Sequence, residues 1–519
     1  MPLATGICLM NTPRVLLINP PQGYSPQSAS FNTYFPLGIL SIASMIRDHC
    51  ELHILDCLVT DFAMEHRDGM DVFGTPMPAI ERRIAELQPD IVGISMPFTA
   101  QAEYAEEVAA LSRKAAPNAL VVFGGPHATI RYEALLQSGK CDYVVVGEGE
   151  ESFREFVQRF GAGQSLSSIE GVASMHAGLL MFKPREYLKQ LDKFPFPAYD
   201  LIDFSDYLNS PYLYLSRSNF KGPQISIFTS RGCPYKCVFC SVALHMGRKY
   251  RWHSVEYVIE HLKLLQEQYG ISQFHFEDDN LSLHKRRFEQ ILDGIIGNQM
   301  HIRWDTPNGV RGDTLNMRIL KKIKKSGCKQ LNIAVESGRQ ETLDKVIKKD
   351  TSLEYLIEVI RNCRKIRLRT ALSFVIGFPG ETLDDMRATT DLALKLLREA
   401  DAIPSVLIAT PLYGTELYED ALKHGYMEED VRDRDLGMAT QSHGAPLLAT
   451  EDFSREDISR LMEEYNAAYS REILRYYLRH PVYAAWRVMN RPDLLKRLFR
   501  MVFKHVSVGE SRWREKHQP

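Results

Sequence analysis

The chain has 519 residues, of which 45% are hydrophobic and 25% charged, the composition of a soluble globular protein too long for one core. A net charge of −2 argues against nucleic acid as a partner held by an overall field. Met1-Pro2-Leu3-Ala4 lacks the pattern of a secretory leader, no run of about 18 apolar residues occurs, and nine cysteines lie mostly at isolated positions, so a cytoplasmic protein is expected.

Residues 12–160 alternate short apolar runs (15–19, 52–56, 90–95, 120–125, 143–147) with helical patterns (37–46, 80–87, 102–115, 151–160). Such alternation predicts βαβ units and a parallel sheet buried on both faces. Residues 22–34 read as a long loop. Ligands of these sheets bind beyond the carboxyl ends of the strands, where the strand order reverses. Those positions hold Pro20, Ser95, Gly124-Gly125-Pro126-His127 and Gly147-Glu148-Gly149-Glu150, while Leu37-Gly38 opens the first helix. Glycines there let a large cofactor approach the backbone, and the absence of GxGxxG after the first strand argues against a dinucleotide. The set resembles the cobalamin-binding domain fused to many radical S-adenosylmethionine (SAM) enzymes. That resemblance implies a Rossmann-like, doubly wound fold with Pro20, Leu37, Gly38, Ser95, Gly124, Gly125, His127, Gly147, Glu148 and Gly149 facing cobalamin. The string Asp-x-His-x-x-Gly, whose histidine ligates cobalt in better-known cobalamin domains, is missing. Base-off cobalamin with no protein histidine on its lower face is therefore implied. The alternative is a flavodoxin-like domain that binds nothing.

Residues 161–222 read as a linker. Gly161-Ala162-Gly163 breaks the pattern, 172–181 reads as a hairpin turning at Ala177-Gly178, and Phe194-Pro195-Phe196-Pro197 is expected to be extended. The last of these resembles the connection between the two domains in related enzymes, which implies a bridging role.

Residues 223–425 carry six βα repeats, with strands at 225–228, 273–277, 302–304, 330–335, 369–377 and 402–410. This predicts a partial (β/α)6 TIM barrel with its function at the strand C-termini. Just past the first strand stand Cys233, Cys237 and Cys240 in a loop with Gly232 and Pro234. Thiolates select soft metal centres. Zinc wants four closed ligands, and a cubane cluster with one open iron fits three better. Packing cysteines or an incomplete zinc knuckle are the alternatives. CxxxCxxC after a strand, with an aromatic before the last cysteine, is similar to the radical SAM superfamily. The resemblance implies a 4Fe–4S cluster on Cys233, Cys237 and Cys240, with SAM bound by Phe239, Asp278, Asp279, Glu336, Ser373 and Ile376. Arg311, after Pro307-Asn308-Gly309, is a candidate for the SAM carboxylate, with a surface ion pair as the equal alternative. Tyr413, Gln441 and His443 are substrate candidates.

Residues 426–519 read as a C-terminal helical region, with an amphipathic helix over 454–476 opened by Ser454-Arg455-Glu456-Asp457. The basic stretch 471–516 reads as a helical lid rather than a membrane-surface helix. Together the two resemblances imply a radical SAM methyltransferase that moves a methyl from SAM, via methylcobalamin, to an unactivated carbon of a small molecule. The 5′-deoxyadenosyl radical first abstracts hydrogen from that carbon, and the electron comes from a reductant such as flavodoxin or ferredoxin. Cyclisation or rearrangement with the same cofactors, and a non-catalytic cobalamin sensor, are the rivals.

Overall fold

The structure, a computed structural model, describes residues 12–25, 34–208, 222–440 and 444–490. Its first domain is built on five parallel strands, Arg14–Asn19, Glu51–Asp56, Ile91–Ser95, Leu120–Gly124 and Tyr143–Val145. In space they run fifth, fourth, third, first, second. The order therefore reverses between the first and third strands, where ligands of such sheets bind. Alternate residues of the strands feed separate cores. Leu16, Ile18, Ile94 and Phe123 pack on one face, and Val15, Leu17, Val122 and Val145 on the other. Helices cover both faces, as continuous apolar strands require. The hairpin Val172–His176 and Leu179–Met181 adds antiparallel to the fifth strand, so the 161–222 segment begins as part of this sheet.

Two features depart from the sequence reading. Residues 22–34 are not all loop: Gln22–Tyr24 joins Ala63–Arg67 and Met70–Gly74 in a small antiparallel sheet. Its hairpin turns on Asp68 and Gly69, both at positive φ, the Asp-Gly signature of a tight hairpin. A helix not foreseen, Pro126–Gln137, follows the fourth strand. Proline at its first turn loses no hydrogen bond there.

The second domain holds six parallel strands in chain order, Gln224–Ile227, Gln273–Phe276, Arg303–Asp305, Cys328–Glu336, Thr370–Ile376 and Ile403–Ile408. Its core includes Phe274, Trp304, Leu331, Leu372 and Phe374. The helix Arg455–Arg479 starts in a reciprocal cap between Ser454 and Asp457 and buries Ile458, Leu461 and Tyr465. Ahead of it, Asp433–Ala439 returns to the first domain, where Arg434 pairs with Glu103 at 3.0 Å. A Cβ on Gly437 would stand 2.7 Å from the Ala100 Cα, so only glycine permits this approach. Among the described residues no helix is long and apolar enough to cross a membrane. Most of the basic stretch, residues 491–516, lies outside them.

Candidate functional site

The cysteine loop leaves the first barrel strand through a two-stranded ribbon, Ser230–Arg231 against Arg251–Trp252, which closes residues 232–250 at the neck. Gly232 sits at φ +81°, and a Cβ there would lie 2.5 Å from the Lys249 carbonyl oxygen. Three backbone bonds pin the loop: Cys233 N–H to Gly247 O at 3.3 Å, Val238 N–H to Ile347 O at 3.1 Å, and Leu417 N–H to Val238 O at 3.0 Å. Cys233, Cys237 and Cys240 are half-buried, whereas Cys50, Cys57, Cys141, Cys328 and Cys363 are buried. Burial pushes the Cys240 thiol up to about 12, and the two neighbouring cysteines add to the rise. Among the described residues no three Cys, His, Asp or Glu side chains are yet drawn to metal-ligating distance. Asn280 Nδ2 approaches Cys233 Sγ at 3.7 Å.

The neighbouring acids divide their roles. Asp278 is consumed inside the barrel, accepting from Thr229 N–H at 3.2 Å, from Thr229 Oγ1 at 2.7 Å and from the Ser230 hydroxyl. Asp279 instead borders a crevice, accepts from Gly232 N–H at 2.8 Å, and is pushed up to about 6 by burial. Glu336 ends the fourth barrel strand at φ +71°, just past a register shift, and accepts from Lys349 Nζ at 2.8 Å. A non-glycine residue held at positive φ at a strand end is strain of the kind that clusters at functional sites. Phe239 meets Phe378 with ring centroids 5.7 Å apart, Ile376 is fully buried, and Ser373 is half-buried on the fifth strand. Arg311 is spent on structure: it pairs with Asp313 at 2.7 Å, donates to the Lys349 and Asp350 carbonyls, and stacks 3.5 Å over the Tyr235 ring. Of the two readings of Arg311, the structure shows an ion pair, partly buried, with Asp313.

The crevice enclosing Asp279 runs between the two domains and holds about 1420 Å³, including its open mouth. Leu37, Gly38, Ser95, Gly124, Gly125, Gly147, Glu148 and Gly149 line it from the first domain. Sequence reading missed the barrel side, where Phe228, Arg231, Met246, His253, Tyr257 and His261 contribute. Helical spacing of His253, Tyr257 and His261 was the available signal. Gly125 sits at φ +102°, with a Cβ 2.9 Å from the Met96 oxygen, so the backbone there is bare by necessity.

Pro20 and His127 are not among the lining residues. The Pro20 carbonyl accepts from Gln101 Nε2 at 3.1 Å. On the unforeseen helix, His127 has Nδ1 3.1 Å from Thr99 Oγ1 and its ring edge toward Tyr413, with centroids 6.1 Å apart. Burial lowers its pKa to about 4, so it is neutral at ordinary pH. Tyr413 is tied to Asp433 at 2.7 Å and lies under Arg131, at the junction of both domains with the C-terminal segment. Gln441 and His443 lie outside the described residues.

Comparison with known proteins fits this geometry. Family models describing a B12 binding domain and the radical SAM superfamily match residues 29–157 and 227–393. The uncharacterized methyltransferase PH0819 of Pyrococcus horikoshii is 32% identical over 459 residues, 88% of this chain and 92% of that protein. The cytidylyl-2-hydroxyethylphosphonate methyltransferase of Streptomyces wedmorensis is 28% identical over 80% of this chain and 83% of its own. In fold, the radical SAM methyltransferase TsrM from Kitasatospora setae superposes with a TM-score of 0.63 at 20% identity, over 79% of this chain and 76% of that one.

Proposed function

Because the chain belongs to the radical SAM enzymes that carry an N-terminal B12-binding domain, we propose that it transfers a methyl group from SAM, by way of cobalamin, to a carbon of a small molecule. The observation that carries this reading is the shared crevice: the carboxyl ends of the first domain's sheet line it from one side, and Phe228, Ser230, Arg231, Met246 and Asp279, at the neck of the cysteine loop, line it from the other. The donor set fits the cofactors. Among the described residues three half-exposed thiols stand apart from five buried ones, and three thiolates suit an iron–sulfur cluster with one iron open. The glycine wall of Gly124, Gly125, Gly147 and Gly149 suits a corrin, whose bulk needs backbone rather than side chains beside it.

When bound, the cluster, SAM and cobalamin supply the one-electron chemistry and the methyl group. The chain's own residues hold, orient and exclude. Cys233, Cys237 and Cys240 hold the cluster, and Asn280 stands against the first of them. Asp279 offers acceptor oxygens toward the crevice for a cationic amino group. Glu336, fixed by Lys349, has its second oxygen left to take ribose hydroxyls. Phe239, backed by the buried Phe378, gives an apolar surface for adenine, with Ile376 packed behind on the fifth strand. Apolar walls from Phe194, Pro195, Phe228 and Met246 keep water from the reacting space. Proton removal needs no base here, since hydrogen leaves as an atom. With SAM, an external low-potential reductant such as flavodoxin or ferredoxin, and a candidate acceptor, anaerobic turnover is expected to yield 5′-deoxyadenosine and a product heavier by one CH2 unit. A product lighter by hydrogens alone would replace methyl transfer with oxidative cyclisation.

A further inference from the structure

Arg231 and Arg251 are register partners across the ribbon that closes the cysteine loop. Like charges directly opposite one another destabilise an antiparallel pair, and these side chains are only 15% and 5% exposed. Their countercharges come from the other domain. Glu150 meets Arg231 at 2.6 Å and also accepts from the Ser41 hydroxyl at 2.8 Å. Glu148 bridges both cations, at 3.2 Å to Arg231 and 2.7 Å to Arg251. The same short segment presents Gly147 and Gly149 to the crevice. On the ribbon side, Arg251 Nη2 donates to the Met246 carbonyl at 2.9 Å. Met246 in turn lines the crevice, and its carbonyl lies 3.1 Å from where a Gly232 Cβ would stand.

We propose that Glu148 and Glu150 are positioning residues that hold the neck of the cysteine loop shut, so that a corrin seated against Gly147 and Gly149 and the cluster-bearing loop stabilise each other. This rests on the crevice being the cobalamin site. Without the two carboxylates, two buried guanidiniums face each other uncompensated and the neck opens. In equilibrium terms such coupling is reciprocal: the factor by which corrin tightens cluster binding is the factor by which the cluster tightens corrin.

The test reconstitutes the full chain anaerobically with iron and sulfide, then follows loss of thiolate–iron absorbance to excess EDTA, with and without saturating hydroxocobalamin. Hydroxocobalamin is expected to slow the loss at least fivefold in the wild type and less than twofold in Glu148→Gln/Glu150→Gln. Cluster loading should likewise tighten hydroxocobalamin binding in the wild type and leave it unchanged in the double variant. Equal protection in both proteins overturns the proposal, as does a wild type that binds both cofactors without protection. A wild type that binds neither overturns the functional reading instead. Should the double variant not fold, Glu150→Gln alone leaves Glu148 to bridge both arginines and is expected to give intermediate protection. Full protection there refutes the role.

Discussion

Replacing Gly232 with alanine tests how far the cysteine loop depends on its backbone. The residue holds φ +81°, and a Cβ would stand 2.5, 3.0 and 3.1 Å from the carbonyls of Lys249, Gly247 and Met246. A left-handed non-glycine residue costs about 1–2 kcal/mol, and crowding a methyl into a packed site costs about 1–3 kcal/mol more. The three obstacles are backbone, so no side chain can rotate away and the ribbon itself must shift. The sum, about 2–5 kcal/mol, falls on the loop, whereas the barrel core of Phe274, Trp304 and Leu372 lies elsewhere. Iron and sulfide per chain after reconstitution, with the spectrum of the reduced cluster, form the assay. Gly232→Ala is expected to lose at least about tenfold in cluster retention, the effect of roughly 1.4 kcal/mol or more, while its melting temperature stays within a few degrees. Full iron content with an unaltered spectrum would refute the reasoning.

Gly125→Ala, strained at φ +102° and pressed on the Met96 carbonyl, is expected to lose hydroxocobalamin on gel filtration yet keep its iron. Lys349→Met leaves Glu336 buried and unpaired; stability is expected to fall by about 3–5 kcal/mol in denaturant melts, and a loss under about 1 kcal/mol would contradict the pairing. Burial raises Glu381 from 4.5 to about 7 in the folded chain, so the fold holds its proton longer than the unfolded chain does. The resulting stability is complete below about pH 4.5 and lost as pH rises to about 7. Glu381→Gln should therefore gain on the wild type by up to about 3 kcal/mol across that window, in melts taken from pH 5 to 8.

What the sequence disclosed follows from which signals are local. The six barrel strands and the five parallel strands are apolar runs bounded by turn residues, and they appear where periodicity puts them. The small antiparallel sheet carries a local signal too, Asp68-Gly69, but its strands are short and half polar, so periodicity does not disclose them. Asp278 and Asp279 are adjacent, yet the chain bends just past the strand end at Phe276, so one is spent in the barrel and the other reaches the crevice. The pairing of Arg231 with Glu150 spans 81 residues and two domains. Each reads alone as a solvated charge, and only docking of the domains makes them partners. Glu148 combines both roles: it lines the crevice with its glycine neighbours, and its carboxylate turns to Arg231 and Arg251, a pairing that no local signal discloses.

The most direct measurement is the iron and corrin content of the chain after anaerobic reconstitution with iron, sulfide and hydroxocobalamin, beside a Cys237→Ala control. The wild type should carry about four irons and one corrin per chain, with the control losing the iron and keeping the corrin. Neither iron nor corrin on the wild type would contradict the reading of two cofactor sites meeting at one crevice.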